Sequence, residues 1–110
     1  MSAAMDSGIL LRLARVIEQR LGDDPGSSYV ASLQQKGLDR MLRKVAEEST
    51  EFLFAARDGD RREVVYEAAD LWFHTLVVLA HLDLGPEDVL EELERRFGLS
   101  GIEEKAARKS

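Results

Sequence analysis

Residues 38–82 read LDRMLRKVAEESTEFLFAARDGDRREVVYEAADLWFHTLVVLAHL, and the fold turns on the Asp58-Gly59-Asp60 break at their centre. Before the break, Leu38, Leu42, Val45, Ser49, Phe52 and Ala56 recur at helical spacing, which predicts a helix over 38–57 with that line as its apolar face. After it, Asp60 and Glu63 have the spacing of a capping box, so a second helix is expected from there to about Leu82. Val64, Val65, Ala68, Leu71, Trp72, Phe73, Leu76 and Leu79 occupy nearly all sides of that helix. Such a helix is expected to be buried all round, with Trp72 and Phe73 spent on packing.

Outward from this pair, Gly22 predicts the end of a first helix over 9–21, with Asp6 or Ser7 as its N-cap. Ser28 to Lys36 suits a short helix, and Gly37 marks a bend. Pro86 at a first helical position, followed by acids, opens a last helix to about Phe97. Leu and Ala together outnumber Val, Ile and Thr by 28 to 13, so the class is all-α, an antiparallel four- to five-helix bundle. Residues 1–97 are expected to form the helical domain and 98–110 a charged tail.

Fifteen basic and twenty-one acidic residues leave a net charge of -6, which would repel a nucleic-acid backbone and argues against nucleic acid as a partner. The absence of cysteine leaves only oxygen and imidazole as metal ligands. No signal sequence and no transmembrane run is legible, so a soluble, cytoplasmic protein without a membrane partner is expected.

The informative feature is a polar stripe on the apolar helix. Glu63, Glu67, Asp70 and His74 follow at spacings of four, three and four, and Lys44, Glu48, Glu51 and Ala55 do the same on the preceding helix. Folded back about Gly59, Glu51 and Glu67 are each eight residues from the turn, Glu48 and Asp70 eleven, and Lys44 and His74 fifteen. At about 1.5 Å per residue these pairs lie at matching heights. Most acids on helices are simply solvated, but Glu67 and Asp70 interrupt the most apolar helix, where an unpaired charge is costly. Four converging carboxylates call for a cation, and an all-oxygen set selects a hard one, Mg²⁺ or Mn²⁺. The Glu-x-x-His motif of di-iron bundles is missing, which argues against redox chemistry.

Lys36, Arg40 and Lys44 extend the line of acids with cations suited to a phosphate chain, and His74 could orient a phosphate. Arg95, Arg96, Lys105 and Arg108 are more distant phosphate candidates. An apolar helix in so short a chain leaves more hydrophobic surface than the bundle can cover, so a homodimer or larger homo-oligomer is expected.

Glu47-Glu48-Ser49-Thr50-Glu51, followed after fifteen residues by Glu67-Ala68-Ala69-Asp70, resembles the Glu-Glu-x-x-Glu and Glu-x-x-Asp signature of the MazG-like all-α nucleotide pyrophosphohydrolases. The segments around Ser28-Tyr29-Val30, Lys44 to Glu48, Tyr66 to Leu71 with His74, and Gly98 to Lys105 are similar to the phosphoribosyl-ATP pyrophosphohydrolase family of histidine biosynthesis. The resemblance implies hydrolysis of phosphoribosyl-ATP to phosphoribosyl-AMP and pyrophosphate. It places Mg²⁺ on Glu48, Glu51, Glu67 and Asp70 and makes Glu47 the candidate water-activating group. It also implies a free-standing form, with no room for a fused cyclohydrolase. Two alternatives stand beside it: a house-cleaning hydrolase of nucleoside triphosphates, and a helical interaction module whose acids are decoration.

Overall fold

A computed structural model describes residues 8–97 together with Lys105, Ala106 and Arg108. Among these residues there are helices and no strands: α1 (Gly8–Leu21), α2 (Tyr29–Lys36), α3 (Leu38–Asp58), α4 (Arg61–His81) and α5 (Pro86–Arg95). The N-cap candidates Asp6 and Ser7 lie outside the described residues. So does the expected tail, apart from Lys105, Ala106 and Arg108, which are helical and exposed. No described helix is long and apolar enough to cross a membrane.

Local chemistry sets the helix ends. The Ser28 hydroxyl accepts from the Ala31 amide at 3.2 Å and starts α2. Gly37, at φ 97°, turns the chain into α3. Gly59, at φ 78°, caps α3 in the left-handed region, and Asp60 accepts from the Glu63 amide at 3.2 Å to start α4. α3 and α4 thus form the antiparallel hairpin that dominates the fold, with α1 and α2 packed on it and α5 against α1.

The core gathers Ile17, Val30, Leu33, Met41, Leu76 and Val77. Two expectations need correction here. The buried residues of α3 are Met41, Glu48 and Ala55, whereas Leu42 and Ala56, from the expected apolar line, are exposed. The inward face is therefore rotated about one residue, and a glutamate stands in its middle. α4 is likewise not buried all round: Val65 is 69% exposed and Trp72 59%. The described residues cover only one side of it.

Candidate active site

The inward rotation of α3 aims Glu48 at α4, where the i, i+3 pair Glu67 and Asp70 shares a face. One carboxylate oxygen from each of Glu48, Glu67 and Asp70 lies within 4.8 Å of the other two. Glu48 is buried, at 8% exposure, and its two neighbours are half-buried. Glu51 is exposed and stands outside this trio, yet among the neighbouring charges it acts most strongly on Glu67. The Glu67 carboxyl is held above the ordinary carboxylate range by desolvation first, then by the Glu51 charge, a hydrogen bond with Glu48, and the charges of Glu48 and Asp70.

The cations stand partly within reach. Lys44 Nζ donates to Glu47 Oε1 at 3.2 Å and pairs with Glu48 Oε1 at 3.7 Å. The Glu47 hydrogen bond raises the Lys44 pKa against the opposing effect of burial. Arg40 is half-buried, with its Nε buried and lacking a partner. Lys36 is exposed in the last turn of α2, and no contact among the described residues ties it to the acids.

His74, four residues beyond Asp70, is buried at 4% exposure with both ring nitrogens bonded. Nδ1 donates to the Asp70 carbonyl at 2.8 Å, and Nε2 meets the Tyr29 hydroxyl at 2.8 Å. Reaching a phosphate would require breaking one of these bonds. Tyr29 itself is absent from the candidates read from sequence. It sits 45 residues from His74 in the chain, so only the packing of α2 on the hairpin reveals the pair.

All of these residues except Tyr29 and Lys36 come from the hairpin, and every one falls inside a span that matches a known family. The model of the family described as "Phosphoribosyl-ATP pyrophosphohydrolase" matches residues 10–97. The chain belongs to the phosphoribosyl-ATP pyrophosphohydrolase family. Among curated relatives, the phosphoribosyl-ATP pyrophosphatase of Methylococcus capsulatus is 58% identical over 101 residues, 92% of this chain and 96% of its own. That of Methylibium petroleiphilum is 63% identical over 100 residues, covering 91% and 83%, and that of Nitrosospira multiformis 59% over 105 residues, covering 96% and 87%.

For a member of the phosphoribosyl-ATP pyrophosphohydrolase family, the donor set can be judged on its own chemistry. Three carboxylates with an oxygen each within 4.8 Å of the others fit a small divalent cation, and oxygen-only donors fit a hard one. A redox metal would be expected to have imidazole ligands, but both nitrogens of His74, one turn beyond Asp70, are occupied.

Proposed function

We propose that this chain hydrolyses the α,β-phosphoanhydride of phosphoribosyl-ATP, giving phosphoribosyl-AMP and pyrophosphate, with Mg²⁺ as cofactor and Mn²⁺ as a substitute. The observation that carries this reading is the meeting of Glu48 from α3 with Glu67 and Asp70 from α4, in a chain of the family whose relatives bear that name.

Glu48, Glu67 and Asp70 would hold the cation, with Glu51 at the rim. When bound there, it supplies positive charge to the phosphate oxygens and acidity to a ligated water. Lys44 and Arg40, with Lys36 further out, grip the leaving pyrophosphate. Water adds across the anhydride: its oxygen ends on one phosphorus, and the bridging oxygen leaves with the other. Glu47 accepts the water proton. It is exposed and bonded to Lys44 beside the phosphate site. His74 serves behind Tyr29 rather than on the phosphate itself.

The working form is a homodimer in the cytoplasm. Support for the dimer lies in the apolar surface that the described residues leave open, a groove of about 490 Å³ lined by Leu10, Leu71, Trp72, Leu90 and Leu93.

The test is pyrophosphate release from phosphoribosyl-ATP in Mg²⁺. Turnover well above a Glu48→Gln control is expected. Turnover no higher than that control rejects the reading, and faster cleavage of ordinary nucleoside triphosphates would replace the substrate.

A further inference from the structure

Among the described residues, one buried side-chain nitrogen or oxygen lacks a hydrogen-bond partner, the Nε of Arg40. A buried polar atom left unpaired is costly, and a guanidinium N–H can only donate, so what would satisfy it is an acceptor. No ion pair among the described residues falls to Arg40 either. Lys44, one turn along α3, differs: its ammonium donates to Glu47 at 3.2 Å and pairs with Glu48 at 3.7 Å. Of these two half-buried cations, Lys44 has its counter-ions in place and Arg40 has none among the described residues.

Position gives the bare group its role. Arg40, Lys44 and Glu48 follow at steps of four along α3, so they share one face in the order guanidinium, ammonium, carboxylate. Arg40 stands about 12 Å from Glu48 along the helix axis, with Lys44 halfway. A phosphate chain whose scissile bond lies at the cation on Glu48 can run past Lys44 toward Arg40, whereas the opposite direction along α3 leads to Glu51, which repels it. A guanidinium edge, Nε–H beside a terminal N–H, matches two oxygens of a single phosphate, and a terminal phosphate has the most free oxygens to offer.

We infer that Arg40 is a specificity-determining residue: its guanidinium edge takes the terminal phosphate of the substrate, so that the enzyme selects a triphosphate over the corresponding diphosphate, while Lys44 serves the phosphate nearer the cation. This rests on the proposed hydrolysis and on the cation held at Glu48.

The test compares kcat/KM for phosphoribosyl-ATP and for phosphoribosyl-ADP, which lacks the terminal phosphate, in the parent, Arg40→Met, Arg40→Lys and Lys44→Met. The parent is expected to prefer the triphosphate, and Arg40→Met to reduce that preference by about 30-fold, the loss of charge-assisted hydrogen bonds to one phosphate. Arg40→Lys keeps the charge but not the paired N–H edge, so its preference should fall between the two. Lys44→Met should slow both substrates and leave their ratio within about threefold of the parent's. Calorimetry of inorganic pyrophosphate in Mg²⁺ gives a readout without turnover, and Arg40→Met should bind it about tenfold more weakly. A circular-dichroism melt guards against misfolding: because Nε has no partner in the free protein, Arg40→Met should melt no lower than the parent. A parent that cleaves both substrates equally well, or an Arg40→Met variant that keeps the parent's preference or its pyrophosphate affinity, overturns this inference alone. A parent that cleaves neither substrate overturns the proposed function and this inference with it.

Discussion

The two sides of α4 differ in kind, one gathering acids and the other leaving apolar surface open. Toward α2 and α3 it presents Glu67, Asp70 and His74, each facing a polar partner from another element or from its own backbone. Toward α1 and α5 it presents Leu71, Trp72, Thr75 and Leu79 to an open apolar groove. The polar side is costly in isolation because like charges crowd there, and the apolar side is costly because water reaches it. The proposed cation would relieve the first, and the proposed second copy of the chain would cover the second.

The largest expected effect sharpens the polar side. Glu48→Gln should lower pyrophosphohydrolase turnover by at least about 100-fold, since losing a ligand should cost no less than disturbing the groups that orient one. Steady-state kinetics in Mg²⁺ would check this, and residual activity within a few-fold of the parent would break the assignment. On the apolar side, Leu93→Asp places a charge in the groove, where the Leu93 side chain is about half exposed. Sedimentation should then show a lighter species, with dimer affinity weakened by about 30-fold or more, as for a central interface residue.

The hairpin that holds both sides in register offers a smaller effect. Gly59 has open space where a Cβ would stand but a φ of 78°. Gly59→Ala should therefore cost about 1 kcal/mol, from backbone conformation alone. A urea midpoint shift with unchanged slope would show it.

The smallest effect is on α5. Glu92 is held at about 2 by hydrogen bonds from Arg95 and Arg96. Its lowered folded-state pKa means that this contribution is present above the ordinary value of 4.5 and is lost as pH falls through about 2. The pair is exposed and screened, so Glu92→Gln should only flatten the acid limb of the stability profile slightly.

Much of the architecture was legible because it is written locally. Gly22, Gly37, Gly59, Asp60 and Pro86 punctuate the helices within a residue or two of their observed ends. Equal counting from Gly59 brings Glu48 level with Asp70, and the two do meet. What the sequence could not reveal depends on neighbours. Leu42 and Met41 lie about 100° apart on one helix, and only packing against the neighbouring helices selects Met41 for the interior. The Tyr29–His74 bond joins segments whose spacing carries no periodic signal. The exposure of Trp72 reflects which surfaces the described residues cover, and an all-round apolar pattern does not say what does the covering.

The central claim is that acids from α3 and α4 converge on a site for a divalent cation, and the most direct measurement is thermal melting of the parent and Glu67→Gln with and without Mg²⁺. The account predicts that Mg²⁺ raises the parent's melting temperature, and that Glu67→Gln loses this response while melting no lower than the parent in the absence of metal, because one of the crowded charges is gone. An equal Mg²⁺ response in both proteins, or a marked drop in the metal-free stability of Glu67→Gln, would contradict it.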